Sequence, residues 1–331
     1  MINSDRKIWI TWHNAARSRN MSKFLNLDLK EIFINQNPIF RHVGSTFWTI
    51  WILLKSRPKV VFLQLSFLLL LITVLYKLLS LNKVVIVADC HTKALRRKVN
   101  GKLNKIFWPL KTFSFSKVDF SIVSNIGMEK DIKKLHSNYF FIPDKIPENK
   151  INKIRDTQKI YCVNISSFAV DEPVGELFDL AQLLSKENIK LYWTGKINEN
   201  LIKDFNKPDN LIFTGYMTFE RYYDLIGNAS CLIALTTEAD TLQSGAYEAL
   251  SVEVPMVITD SIALKNYFDS AALYTNHNPH DLFEKVKYAI ENQKRIICEI
   301  QSVKEKRNNE YATLIKELEE QVNNRINEKS I

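Results

Sequence analysis

The apolar positions of this chain fall into short continuous runs separated by polar segments of helical period, the pattern of buried parallel strands alternating with amphipathic helices. In the first half the runs at 7–12, 29–34, 59–65, 84–88, 120–124 and 139–142 read as strands. Helices are expected between them: after the polar loop 13–19 as far as Leu25, over 43–55, from Ser66 to Leu81, over 95–117 and briefly after Asn125. The second half repeats the alternation, with strands at 161–165, 191–193, 211–213, 231–235 and 255–259 and helices at 174–185, 219–226, 245–252 and 263–268. Each half is therefore expected to be an α/β domain with a parallel, doubly wound sheet.

Pro143 and Pro147, in a stretch with little apolar material, mark the junction. The expected division is an amino-terminal domain at 1–145, a second domain at 146–295 and a carboxyl-terminal helix at 296–331. The charged stretch 281–329 is helical in pattern, and Tyr311, Leu314, Ile315, Leu318, Val322 and Ile326 form one apolar stripe along it. Too few heptads are present for a coiled coil, so packing against the body is expected. The apolar stretch 60–81 approaches membrane-spanning length. Its β-rich start after Pro58 and its end at Asn82-Lys83 instead suit a buried strand followed by a helix, whose many leucines suggest contact with lipid.

Length and charge narrow the partners. At 331 residues the chain suits two domains with ample core, and its net charge of +9 favours an anionic partner: a phosphate-bearing substrate, an acidic membrane surface or a nucleic acid. No nucleic-acid motif is present, so no nucleic acid is expected. Cys90, Cys162, Cys231 and Cys298 are widely spaced, which suggests neither a zinc site nor a disulfide framework. With no signal-peptide pattern at the start, a cytoplasmic location is expected, on the inner face of the membrane. Arg96, Arg97, Lys98, Lys102 and Lys105 are interleaved with Leu103, Ile106, Phe107 and Trp108, a mixture suited to anionic lipid.

The richest stretch is 231–260, CLIALTTEADTLQSGAYEALSVEVPMVITD. It reads as strand, polar loop, helix and strand, so its loop lies at a strand's carboxyl end and a helix's amino end, where open α/β sheets bind ligands and backbone N–H groups attract phosphate. Asp240 and Glu248, with seven residues between them, are expected before the helix and in its first turn. Amides for a phosphate and a carboxylate for a ribose would need that arrangement; a helix with a favourable first-turn acid is the plainer reading.

The run DTLQSGAYEALSVEVPMVITD resembles the carboxylate-x7-carboxylate region of GT-B-fold glycosyltransferases, especially family 4, the group 1 transferases, and related capsule and lipopolysaccharide enzymes. Asp240 stands at the first acidic position, Glu248-Ala249 is intact, and Glu253-Val254-Pro255 stands where Gly-x-Pro is common. The resemblance implies two Rossmann-like domains facing across a cleft, with a long carboxyl-terminal helix. It also implies transfer of a sugar from a nucleotide-diphosphate donor to a lipid-linked or cell-surface glycan. Glu248 would hold the ribose, the amides of Ser244, Gly245 and Ala246 the diphosphate, Tyr216 would lie near the base, and Asp240 would face the sugar. Thr241, Gln243, Gly195, Lys196 and Ser167 complete the donor set. Where such enzymes carry an Arg and a Lys for the leaving diphosphate, this chain offers Ser166, Ser167, Asp171 and Glu172. No Walker loop or paired-aspartate motif occurs, so no metal or other cofactor is expected.

In the first half, Asp89, His91 and Thr92 follow a buried strand, which suits contact with an acceptor hydroxyl or removal of its proton; a helix cap is the bland alternative. His13 and Asn14 stand in the same relation to the first strand. Two other functions remain open: a non-catalytic nucleotide-sugar-binding subunit at the membrane, and a GT-B nucleotide-sugar epimerase.

Overall fold

In the computed structural model the described residues are 6–35, 37–92, 95, 102–148, 160–238 and 240–329, with the side chains of 38 and 102–107 outside them. Two compact units are present, Met1–Lys145 with Glu310–Ile331, and Ile146–Asn309.

The first unit contains β1 (Lys7–Thr11), α1 (Ala16–Phe24), β2 (Asp28–Glu31), α2 (Pro38–Ser56), β3 (Val60–Gln64) and α3 (Phe67–Leu79). It continues through β4 (Val85–Cys90), α4 (Lys102–Ser116), β5 (Phe120–Val123), α5 (Glu129–Lys133) and β6 (Tyr139–Phe141). All six strands are parallel, in the order β2-β1-β3-β4-β5-β6. The apolar stretch 60–81 divides into β3 and α3, and no described helix is long and apolar enough to cross a membrane. The polar strand β2 lies at the sheet's edge, paired Ile8 to Asp28 through Thr11 to Glu31, which starts it before the apolar run 29–34.

Both faces of this sheet are covered, which is why its strands read as unbroken apolar runs. Ile8, Ile10, Val61, Leu63 and Ile86 pack with Leu53 of α2 and Leu69 and Leu70 of α3. The alternate residues Trp9, Phe62, Val85 and Val87 pack with Met21 of α1 and with Tyr311, Ile315, Leu318, Val322 and Ile326. Those last five belong to the terminal helix. A buried carboxylate, Asp119, fastens the helix end: Lys77 Nζ approaches it at 2.6 Å, Lys329 Nζ at 2.7 Å and Arg325 Nε at 3.1 Å, and it accepts the Ile86 N–H at 2.8 Å. Burial would raise the Asp119 carboxyl, but Lys329 and Lys77 hold it below its ordinary value. Burial pushes Lys77 down to about 8 against the pull of Asp119.

The second unit runs through β7 (Tyr161–Asn164), α6 (Val174–Lys186), β8 (Lys190–Thr194), α7 (Glu199–Ile202), β9 (Leu211–Gly215) and α8 (Phe219–Gly227). There follow β10 (Cys231–Ala234), α9 (Ser244–Val252), β11 (Met256–Thr259), α10 (Ile262–Phe268), β12 (Leu273–Thr275) and α11 (Pro279–Glu291). Its parallel sheet has the order β12-β11-β10-β7-β8-β9. The helical stretch 281–329 is two helices, because Asn278 caps α11 by accepting the His280 and Asp281 N–H groups and Asn292 ends it. The 36-residue α12 (Gln293–Glu328) then begins in this unit, burying Ile296, Ile300 and Val303, and ends in the first.

Candidate functional site

In a doubly wound sheet, ligands gather beyond the strands' carboxyl ends, where the strand order reverses. That point lies between β7 and β10 in the second unit and between β1 and β3 in the first.

At the β7/β10 point the small residue Gly245 lets α9 approach the sheet. A Cβ there would lie 2.9 Å from Ile165 Cγ2 and 3.1 Å from the Ala234 Cβ, so a larger residue would push the helix away. Beside it, the loops after β7 and β8 meet at Gly195, whose φ of +96° and 2.3 Å Cβ distance from the Ser166 carbonyl oxygen exclude any side chain. The first turn of α9, Ile165 and the Ser166/Gly195 contact are thereby brought together. Gln243, the residue before α9, gives no side-chain cap to the helix's first N–H groups, and its own Oε1 is buried without a hydrogen-bond partner.

Glu248 sits in the second turn of α9, one turn later than expected, because the helix starts at Ser244. The macrodipole acts chiefly on the first turn, so helix stabilisation is a weak reason for an acid here. Its carboxylate is half-buried and accepts a hydrogen bond from the Tyr222 hydroxyl of α8. Burial raises the Glu248 carboxyl above its ordinary value, with the Tyr222 bond pulling the other way. Asp240, Thr241 and Gln243 are half-buried in the loop before the helix, and Ser244 is exposed. Ala246 is fully buried and its N–H goes to the Gln243 carbonyl at 3.1 Å, which leaves the amides of Ser244 and Gly245 as the better placed pair.

Three expected donor residues stand differently. The Ser167 N–H and hydroxyl both donate to Glu172 Oε1 at 2.9 Å, so Glu172 occupies the groups expected to meet a diphosphate. Lys196 is exposed and Tyr216 is 84% exposed, and among the described residues no contact ties either to this group. The neighbouring loop is held from the side: Thr236 Oγ1 donates to Asp171 Oδ2 at 2.9 Å, and the Thr236 N–H donates to Thr259 Oγ1, which lies 2.8 Å from His277 Nε2.

In the first unit, Asp89 is 1% exposed and its carboxylate is taken by a guanidinium: Arg17 Nε lies 3.0 and 3.1 Å from its two oxygens, and Arg17 Nη1 reaches Asp144 at 2.8 Å. Burial would lower the Arg17 value, but Asp89 and Asp144 raise it. Asp89 is thus placed as a buried anchor rather than as a group open to an acceptor, because a lone buried carboxylate is costly and its partner fills both oxygens. His91 is half-buried, with Nε2 2.9 Å from Gln64 Nε2 and 3.6 Å from Asp89 Oδ2. Gln64 Oε1 in turn receives the Thr11 hydroxyl. His13 is exposed on the next strand's loop; burial and the charges of Arg41, His91 and His42 hold it below its ordinary value. Arg96, Arg97 and Lys98 lie outside the described residues, as does the Lys102 side chain.

The groups that sequence reasoning missed are Tyr222, Gln64 and the binding of Arg17 to Asp89. Each acts through a contact between elements, for which no local spacing gives a signal.

Residues 144–313 match the sequence family described as Glycosyl transferases group 1. No curated protein matches the chain in sequence. Among solved structures, HepE from Anabaena in complex with UDP and glucose is similar at a TM-score of 0.70 and 8% identity, over 96% of this chain and 91% of that one. A glycosyltransferase from Rickettsia africae is similar at 0.67 and 11%, over 95% and 89%. TarM is similar at 0.63 and 16%, over 84% of this chain but 58% of its own, so the chain spans about three fifths of that protein. A putative UDP-N-acetylglucosamine 2-epimerase from Listeria monocytogenes is similar at 0.57 and 9%, over 89% and 91%. These likenesses, with the two parallel six-stranded sheets, give the chain the GT-B fold.

Proposed function

The chain belongs to the group 1 glycosyl transferases, and on that footing we propose that it moves a sugar from a nucleotide-diphosphate donor to a glycan or lipid-linked acceptor. The observation that carries the reading is Glu248, a half-buried carboxylate in the matched region, beside the amino end of α9 at the strand-order reversal. In this reading Glu248 accepts the two ribose hydroxyls, displacing or sharing Tyr222. The Ser244 and Gly245 amides hold the diphosphate as it leaves, where fixed N–H dipoles stabilise the developing charge. Asp240 and the unpartnered Gln243 Oε1 accept hydroxyls of the sugar, with Thr241 beside them. Lys196 and Tyr216 join only if their loops move inward.

The acceptor is assigned to the β1/β3/β4 end of the first sheet. There the acceptor oxygen bonds to the anomeric carbon as the bond to the diphosphate breaks, and the hydroxyl proton passes to His91. Gln64 Nε2 donates to His91 Nε2, so Nε2 is the basic nitrogen of the neutral ring and takes the acceptor's proton in exchange for the Gln64 bond. Asp89 is a positioning residue behind it. No metal is invoked, since backbone amides supply the leaving-group stabilisation. Work at the cytoplasmic face of a membrane, on a capsule, lipopolysaccharide or exopolysaccharide precursor, is the setting that the net charge of +9 suits.

Thermal stabilisation by a panel of nucleoside diphosphates tests this reading, beginning with UDP, which the similar HepE structure holds. Binding of one diphosphate at 100 times its Kd would stabilise by about 2.7 kcal/mol; no shift with any of them contradicts the reading. The epimerase-like neighbour keeps a second activity in view. An epimerase would convert the sugar nucleotide without an acceptor, whereas a transferase releases free diphosphate only as product accumulates.

A further inference from the structure

Helix α2 is apolar on two opposite sides, and only one of them is covered. Ser45, Thr49, Ile52 and Leu53 recur at helical spacing and are buried against the sheet and α3. Trp12 Nε1 donates to Thr49 Oγ1 at 3.0 Å on that side. Ile39, Phe40, Val43, Phe47, Trp51 and Leu54 recur on the other side, exposed from 43% at Trp51 to 71% at Ile39. A helix apolar all round belongs in a core or in lipid, and this outer stripe is much more than the scattered exposed leucines of an ordinary surface. The adjoining α3 adds Leu75, 50% exposed, and Leu79, 82% exposed.

The charge of the sequence segment that carries this face points to what covers it. Between residues 32 and 118 the chain carries fourteen Lys and Arg against one carboxylate, Asp89, which is buried and paired with Arg17. The segment alone exceeds the whole chain's net charge of +9, so the remainder of the chain is net negative. Neither α2 nor α3 contains an acid, and Lys55 lies 4.5 Å above the Trp51 ring. A second copy docked face to face would bring two such cationic segments together. An aromatic and aliphatic stripe flanked by cations and free of carboxylates instead matches an anionic bilayer, where rings and acyl boundary meet and each basic group adds attraction.

We infer that α2 lies in the plane of an anionic membrane with its outer stripe among the acyl chains. It is a different element from the basic tract 96–105, and the inference rests on the proposed membrane setting only for the identity of the bilayer. The helix's first turns carry Arg41 and His42, and the His42 ring lies 6.1 Å from that of Trp12, the residue before His13. Docking through α2 therefore places the proposed acceptor end of the first sheet near the lipid surface, where a lipid-linked acceptor would present its head group.

The test uses the full chain and vesicles of phosphatidylcholine with and without phosphatidylglycerol, read by co-sedimentation and by quenching of tryptophan with brominated acyl chains. The exposed pair Phe47→Glu/Trp51→Glu should leave the far-ultraviolet spectrum and melting unchanged. It should weaken binding to the anionic vesicles by about tenfold or more, the loss expected from withdrawing two large apolar side chains. Trp48→Phe/Trp51→Phe should retain binding and lose most of the quenching. Absence of wild-type binding, equal binding by the Glu pair, or conversion of a dimer into a monomer by that pair without vesicle binding would overturn the inference. UDP stabilisation measured on the same samples separates the two readings: vesicle binding without any nucleotide response leaves α2 docking in place and removes the transferase assignment.

Discussion

Replacing Glu248 by glutamine separates a functional carboxylate from a structural one. The side chain is half-buried, and burial raises its carboxyl, so its ionised form at neutral pH costs the fold stability. A group with a raised folded value stabilises fully below its ordinary value of 4.5 and loses that contribution as pH rises through the folded value. Glutamine removes the desolvated charge while keeping an oxygen for the Tyr222 hydroxyl. The variant's melting temperature should therefore be unchanged or higher at pH 7, and the gain should vanish as pH approaches 4.5. Nucleotide binding should move the opposite way. Hydrogen bonds to a charged group contribute about 1.5–3 kcal/mol against about 0.5–1.5 kcal/mol for a neutral one, so weakening one bond to a ribose hydroxyl by about 1–1.5 kcal/mol costs roughly fivefold to tenfold in Kd. Calorimetric titration with UDP and a melting scan on the same preparation measure both. If Glu248 served only the helix, the variant would melt lower and bind nucleotide as the wild type does, and the reasoning would be refuted.

Other consequences follow from the same structure. Asp119→Asn leaves Lys77 and Lys329 without their buried partner and should destabilise by about 3–5 kcal/mol, seen as a lower denaturant midpoint; an unchanged midpoint would show that the terminal helix is held by its apolar stripe alone. His13, His136 and His277 are all lowered, chiefly by burial, so the unfolded chain binds more protons than the folded one. Their contribution is full above the ordinary value of 6.5 and falls as pH drops through it, so urea midpoints should decline below that pH, and His136→Gln should flatten the decline. Gly245→Ala should cut nucleotide binding, because its Cβ would meet Ile165 at 2.9 Å and tilt the amino end of α9. Chelator should leave transfer unchanged, measured as released diphosphate; its abolition would require a metal that the proposal does not contain.

The sheets were legible in the sequence because parallel strands buried on both faces leave unbroken apolar runs. Edges were less legible. β2 is polar because only one neighbour pairs with it, and three-residue β12 is too short to stand out from its loop. The start of α2 was readable in Asn37-Pro38, where the Asn side chain accepts the Ile39 N–H at 3.0 Å, yet the apolar run drew the expected start to Val43. At the candidate site, the position of Glu248 after small residues was visible, but its partner Tyr222 lies 26 residues away on another helix. Asp89 read as a free acid because its cation, Arg17, is 72 residues away in sequence. Local spacing records helices and loops; it does not record which helix leans on which.

The measurement that bears most directly on the account is a crystal structure of the chain with UDP. The ribose hydroxyls should lie within hydrogen-bond distance of the Glu248 carboxylate and the diphosphate against the Ser244 and Gly245 amides. UDP bound elsewhere, with Glu248 still joined to Tyr222 alone, would contradict it.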